Sequence, residues 1–456
     1  MEHHKKRSTF SGKLGYVLSA AGASVGLGNI WRFPYLAAKY GGGIFLLVYI
    51  ILALTFGYTM ITAETALGRM TQKSPVGAYH SFGKSKWLSF GGWINAVIPI
   101  LIVPYYSVIG GWVIKYLAEY IIGHGEKLAE DGYFGSFISS GASAELCFVL
   151  FTFFTVAVIF GGVQNGVERV SKFMMPILVV LSLFIAVYSI NLPGAAEGVK
   201  YFLIPNFANF SWMTVVSAMG QMFYSLSIAM GILITFGSYM KKDVSIEAST
   251  KNVGVFDTGI AIMAGLMIIP AVFAFSGGDA NSLKAGPSLM FITIPKVFAS
   301  IKMGSFVGIL FFFLVLCAAV TSSIALTESA VSTFQDELGW GRKKSTVVIT
   351  LIMLALGTLS CMGYGPLASV EILGMQMLDF FDFLTNSVMM PIAAIATCLL
   401  VSRKMGVEKI EEEMTLENGK FKRKHIFNFM IKYLCPIFAA IILVSSVANA
   451  FGWISM

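Results

Sequence analysis

Asn29 and Arg32 stand three residues apart in Ala21-Gly22-Ala23-Ser24-Val25-Gly26-Leu27-Gly28-Asn29-Ile30-Trp31-Arg32-Phe33-Pro34-Tyr35, inside a long apolar run. A helix built only to cross lipid gains nothing from this mixture. Glycine weakens a helix interior by about 1 kcal/mol relative to alanine, and arginine at membrane depth costs roughly 2.5 kcal/mol or more. Non-helical backbone survives at that depth only where it is packed in protein or lines a watery cavity. The segment is therefore expected to be a broken helix whose freed amides and carbonyls bind a ligand.

Other polar groups in apolar surroundings need a reason. Asp257, in Val255-Phe256-Asp257-Thr258-Gly259, has apolar residues on both sides; intramembrane carboxylates usually face an ion or a polar partner. Glu64 either snorkels to the interface or holds the unwound amides of a neighbouring helix, the structural role being favoured. Thr321-Ser322-Ser323 offers hydroxyls that either bond back to their own backbone or supply the hard oxygens a sodium ion needs. Tyr105-Tyr106 follows Pro99 and Pro104, as a packed pair or as a phenol aimed into a cavity. Asp379 and Asp382 share a helix face; they face outside water, or Asp382 pairs with Arg32.

The elements that must position these groups are membrane helices. The chain has 456 residues, 56% hydrophobic and 12% charged, with a mean hydropathy of +0.77; globular chains carry about 25% charged residues. Eleven apolar segments reach the roughly 20 residues a span requires: 12–38, 41–68, 88–121, 145–162, 168–190, 211–240, 252–276, 301–333, 345–362, 370–401 and 426–452. Most of the 32 Lys and Arg fall in alternate loops, so the net charge of +8 reads as a positive-inside bias and not as a nucleic-acid surface. This places the N-terminus in the cytoplasm and the C-terminus outside, in the cell's inner (plasma) membrane, with lipid as the surrounding partner. Lys5-Lys6-Arg7 before the first run resembles a signal peptide only faintly, because the hydrophobicity continues past Pro34. The five cysteines have neither a CxxC nor a metal spacing and read as small buried hydrophobes.

The sixth segment repeats the anomaly of the first. Gly220-Gln221-Met222-Phe223-Tyr224-Ser225-Leu226-Ser227-Ile228-Ala229-Met230-Gly231 is glycine-interrupted and hydroxyl-rich, five segments later. Interrupted helices at matching positions of two halves point to a transporter site at an inverted-repeat interface, although small residues also serve plain helix packing.

Val25-Gly26-Leu27-Gly28-Asn29-Ile30-Trp31-Arg32-Phe33-Pro34 closely resembles the first-helix signature of the neurotransmitter:sodium symporter family. Gly41-Gly42-Gly43, Glu64 with Gly68-Arg69, Tyr105-Tyr106, and Gly166-Val167-Glu168-Arg169-Val170-Ser171-Lys172 follow in order. Gly220-Gln221, Ser225-Leu226-Ser227, Gly286-Pro287, Thr321-Ser322-Ser323 and Asp336-Glu337-Leu338 continue the resemblance over nearly the whole chain. It implies an all-α polytopic fold like that of the family's bacterial leucine-transporting branch, with eleven helices. Two five-helix inverted repeats, 1–200 and 201–402, carry unwound helices one and six; 403–456 adds a loop and an extra helix.

The resemblance also implies sites. The amides of Leu27 and Gly28 and the Tyr106 hydroxyl would receive a substrate carboxylate, since a half-helix N-terminus suits an anion. Asn29, the Ser24 carbonyl and Ser225 resemble ligands of a first sodium site. Carbonyls of Gly22, Val25 and Ala318 with the hydroxyls of Thr321 and Ser322 resemble a second; both are oxygen sets, as a hard cation requires. Gly26 stands where monoamine-carrying members have aspartate, so the ligand is expected to bring its own carboxylate. Ile102, Tyr224, Ser227, Met230 and Leu326 would line an uncharged side-chain pocket, with Gly26 and Ser322 beside them. Met230 stands where the leucine-transporting branch has an aromatic, leaving room for a larger side chain. Arg32 with Asp382 would gate the outside, and Arg7 with Asp336 the inside. Phe10 departs from the tryptophan of many members. Asp257 aligns with the serine beside chloride in chloride-dependent members, so chloride is not expected to be required, and its titration would open a route to proton antiport. Four residues before Asp257 lies Val253, with Asn252 beside it. Either the local register differs from the family's seventh-helix asparagine, or Asp257 itself ligates sodium.

The expected function is a sodium-coupled symporter, with two ions, importing a neutral, hydrophobic or aromatic amino acid by alternating access as a monomer or homodimer. A ligand-binding sensor of transporter ancestry is the alternative. An enzyme would need a nucleophile–base or metal set, and no HExxH or equivalent is present; a channel lacks a repeated filter loop.

Overall fold

Backbone amides inside a bilayer must find partners within their own segment, which long apolar runs achieve as helices. A computed structural model describes residues 8–278, 283, 286–416 and 420–454. Nine helices among them are long and apolar enough to cross a membrane. They are α2 (Gly43–Thr71), α3 (Lys86–Ile122), α4 (Ala142–Phe160), α5 (Val163–Ile190), α7 (Ile246–Ser276), α8 (Gly304–Leu338), α9 (Arg342–Met362), α10 (Met377–Met405) and α11 (Lys424–Ala450). Two further helices are broken. In α1, Lys13–Ser24 ends in an extended Val25, and a wide turn at Gly28–Arg32 leads into Phe33–Lys39. In α6, Trp212–Ser225 is separated from Ile232–Ser238 by a stretch with positive φ at Ser227, Ala229 and Gly231. The eleven-helix, all-α architecture is thus as expected, with both interruptions in the anticipated helices.

Local sequence sets most boundaries. Ser211 and Thr214 form a reciprocal capping box at the start of α6. Ser245 accepts from the Ala248 amide at 3.3 Å, so α7 begins at Ile246 and not at 252. The tenth helix starts at Met377 and not at 370, because 363–376 is spent on turns closed by the Ile372–Met375 bridge.

Large apolar side chains exposed on the outside of the bundle, such as Phe153 and Phe154 on α4 and Leu183 and Phe184 on α5, suit a hydrocarbon surround. Inside, the central stretches of α1, α6 and α8 are buried, which fits the interrupted backbone of α1 and α6 packed in protein. The start of α1 meets the end of α6 at the face of the bundle that carries the N-terminus. There the Phe10 amide donates to Tyr239 O at 2.9 Å, and Lys241 Nζ donates to Ser11 O at 2.9 Å.

Candidate functional site

The two helix breaks face each other and are held by side chains from other helices. Glu64 Oε1, on α2, accepts from the Ala229 amide at 2.8 Å. Ala229 has a φ of 59°, a left-handed conformation that leaves its N–H outside any helical ladder. Glu64 is therefore buried and bonded to the unwound backbone of α6, with no snorkelling. From α6, Ser227 Oγ donates to Ala23 O at 3.0 Å and Gln221 Nε2 to Gly28 O at 3.1 Å, so each break ties down the other.

One small cavity lies between the breaks. All the expected substrate-pocket residues line it: Ser24, Gly26, Leu27 and Gly28 from α1, Ile102 and Tyr106 from α3, Tyr224, Ser225, Ser227 and Met230 from α6, and Ser322 and Leu326 from α8. The Tyr106 hydroxyl receives the Leu27 amide at 3.3 Å. A Cβ built on Gly26 would lie 2.8 Å from Ser322 Oγ and 3.0 Å from Tyr106 Oη. On Gly28 it would meet the Tyr224 ring at 2.4 Å. A side chain at either glycine would therefore have to displace Ser322, Tyr106 or Tyr224.

Beside the cavity sits a buried polar knot. Asn29 Nδ2 donates to Asp257 Oδ1 at 2.8 Å and to Ser225 Oγ at 2.9 Å; Ser225 Oγ donates to Asp257 Oδ1 at 2.8 Å. Tyr49 Oη, from α2, completes it at 3.2 Å from Asp257 Oδ2. Asp257 is thus the α7 residue whose carboxylate meets Asn29 and Ser225. Tyr49 was not among the expected site residues. It lies in the apolar run Leu46-Leu47-Val48-Tyr49-Ile50-Ile51, where nothing distinguishes it from a packing aromatic.

A second knot joins α1 to α8. Ser322 Oγ lies 3.3 Å from Gly22 O, 3.2 Å from Ala23 O and 3.4 Å from Val25 O, while Thr321 Oγ1 lies 3.1 Å from Ala318 O. A serine has one proton to donate, so three carbonyls converge on one donor. Such an excess of oxygen acceptors is what a hard cation requires.

Outward of the cavity, a vestibule of about 410 Å³ is bordered by Arg32, Tyr105, Tyr224, Asp379, Asp382 and Ser445, among others. The Arg32 guanidinium lies 5.4 Å from the centre of the Tyr224 ring. Asp382 Oδ1 accepts from Asn386 Nδ2 at 2.6 Å, and among the described residues no ion pair joins Asp382 to Arg32. Arg32 and Asp382, the expected outer gate, border one cavity without pairing. At the opposite face Asp336 Oδ2 accepts from the Ser74 amide at 2.7 Å; Arg7 lies outside the described residues.

A model of the sodium:neurotransmitter symporter family matches residues 7–124 and 136–452. An uncharacterized sodium-dependent transporter of Bacillus subtilis, YhdH, is 33% identical over 447 residues, covering 96% of this chain and 97% of the relative. One from Haemophilus influenzae is 31% identical over 460 residues, covering 97% and 99%. The sodium- and chloride-dependent taurine transporter of Rattus norvegicus is 26% identical over 438 residues, covering 84% and 68%. Among solved structures, that of MhsT in complex with L-phenylalanine is similar at a TM-score of 0.86 and 33% identity, covering 96% of this chain and 100% of that one.

Proposed function

The chain belongs to the sodium:neurotransmitter symporter family and is a sodium-dependent membrane transporter, not an enzyme; from that premise we propose that it imports a neutral, hydrophobic or aromatic amino acid together with two sodium ions. The observation that carries this reading is the tight wall at Gly26. A side chain there would have to displace the Ser322 and Tyr106 oxygens, and Gly26 itself offers no acid, so the carboxylate that completes the site comes with the ligand. Leu27, Gly28 and Tyr106 are its donors. Ile102, Tyr224, Met230 and Leu326 offer no charge to a ligand side chain, and methionine adapts to flat or branched groups alike. That MhsT holds L-phenylalanine agrees with this class.

Sodium is cargo in this reading. The first ion sits among the Ser24 carbonyl, Asn29, Ser225, Asp257 and the ligand carboxylate. The second sits among Gly22, Val25, Ala318, Thr321 and Ser322. Asp257 supplies a fixed negative charge beside the first ion, which removes the need for chloride. Each sodium entering the cell contributes about 2.3 kcal/mol per 100 mV before its own gradient is counted. The transport cycle alternates access through closure of Arg32 on Asp382 outside and an inner latch at Asp336 and Arg7. Residues 1–200 and 201–402 act as the two repeats that rock around the site, with 403–456 appended. The N-terminus faces the cytoplasm and the C-terminus the outside of a plasma membrane.

An amino-acid displacement screen on the purified protein tests this, in sodium with and without chloride, followed by uptake into proteoliposomes. Displacement among Phe, Tyr, Trp, Leu and Ile, in sodium alone, is expected. Tight binding in potassium, or transport of Asp or Lys, would overturn it.

A further inference from the structure

A groove of about 520 Å³ lies far from the transport site, on the face of the bundle that carries the N-terminus. It is framed by the end of α2, the turn before α7 and the start of α11, and its walls include Lys242, Lys251, Lys420, Lys422 and Arg423. Its floor is Arg69, which is fully engaged: Nε donates to Glu413 Oε1 at 2.7 Å and Nη1 to Val244 O at 2.6 Å. Two acids also line it. Glu247 is used to place a wall, since its Oε2 accepts the Lys422 amide at 2.8 Å, and Asp243 is exposed. Lys242 leans to Glu413 at 3.6 Å. Lys251, Lys422 and Arg423 have no carboxylate of the described residues within ion-pair distance. The walls are therefore a surplus of cations held by a rigid, internally neutralised floor.

What the groove adjoins narrows the ligand. Arg423 Nη1 reaches Leu54 O at 3.5 Å, and its guanidinium lies 4.9 Å from the centre of the Tyr58 ring, so the cationic rim is anchored on the membrane-spanning surface of α2. Directly along that surface Ile51 and Leu54 of α2 are exposed, as are Ile426, Phe429 and Tyr433 of α11. A soluble anion would use the charges and ignore the apolar strip. A phospholipid uses both, since its phosphate sits at the level of interfacial Lys and Arg while its chains run along apolar side chains.

We propose that this groove binds the headgroup of an anionic phospholipid, with Lys251, Lys422 and Arg423 contacting its phosphate and the α2–α11 strip its acyl chains. The site pins the α6–α7 turn and the start of α11 to one lipid molecule.

Native mass spectrometry of the full chain tests this after controlled delipidation with phosphatidylglycerol or phosphatidylcholine. Retention of phosphatidylglycerol over phosphatidylcholine is expected. Its affinity should fall about fivefold for each charge removed in K251Q, K422Q and R423Q, as roughly 1 kcal/mol per interfacial cation implies. K343Q/K344Q, on α9 at the same face, should leave retention unchanged, and K251R/K422R should restore it. Sodium-dependent ligand binding reports that each variant is folded. Equal retention of both lipids would overturn the proposal, as would equal loss in K343Q/K344Q. So would competition by millimolar inorganic phosphate matching that of the lipid, which would assign the groove to soluble phosphate.

Discussion

Asn29 and Asp257 are joined by a 2.8 Å hydrogen bond that crosses from the break in α1 to the buried middle of α7. Neither residue could sit there alone. Asp257 is wholly buried, and a carboxylate so placed is tolerated only when paired and hydrogen-bonded. Asn29 Oδ1 in turn receives the Gly26 amide at 3.2 Å, so the same carboxamide braces the unwound backbone. The buried carboxylate and the backbone break form one mechanical unit.

Asp257→Asn keeps the volume and the knot's geometry but removes the charge. Sodium affinity, read from a sodium titration of ligand binding, is expected to fall at least about tenfold, or 1.4 kcal/mol. Asp257→Ser should recover part of the loss when chloride is added, and the unmodified chain should show no chloride response. A chloride requirement in the unmodified chain would remove the fixed-charge reading.

At the ligand end, Tyr106→Phe deletes one donor to a charged group. Hydrogen bonds to charged groups contribute about 1.5–3 kcal/mol, so ligand Kd should rise roughly tenfold to a hundredfold. Gly26→Asp should abolish amino-acid binding outright, because its side chain would be driven into Ser322 and Tyr106. Retained amino-acid binding in Gly26→Asp would show that the ligand carboxylate lies elsewhere.

Glu64 separates structural from transport roles. Glu64→Gln retains an acceptor for the Ala229 amide and should leave the fold intact with a small change in Tm. Glu64→Ala strands that amide in a buried site, at a cost of about 1–3 kcal/mol, and should lower Tm by several degrees and weaken ligand binding with it. Equal Tm in the two variants would refute the bracing role.

Much of this arrangement was legible in the chain because membrane burial makes each exception conspicuous. Glycines, Asn29 and Arg32 inside an apolar run announce a break, and a lone acid such as Asp257 announces a partner. The residue that joins such a knot from a fourth helix is not announced. Tyr49 carries its function through position alone, since an aromatic among aliphatic residues is also what packing selects. Register was equally hidden: counting along α7 left Val253, Asn252 and Asp257 as rivals, and only the approach of α1 and α6 brings Asp257 to Asn29 and Ser225. The starts of α7 and α10 were misplaced for local reasons, a serine cap in one and a short bridge in the other.

The separation of Arg32 from Asp382 makes the vestibule a reporter of the transport cycle. Ser445, on α11, lines the same cavity, and all five native cysteines are buried, so Ser445→Cys can be labelled by a water-soluble thiol reagent against a low background. In the open arrangement labelling should be rapid. Sodium with a bound amino acid favours the closed arrangement only through differential affinity for it, which the meeting of Arg32 and Asp382 over the occupied site would supply. Labelling is therefore expected to slow several-fold in sodium plus ligand, and to do so much less in Asp382→Asn. An unchanged rate on adding both would mean that Arg32 and Asp382 do not close over the site.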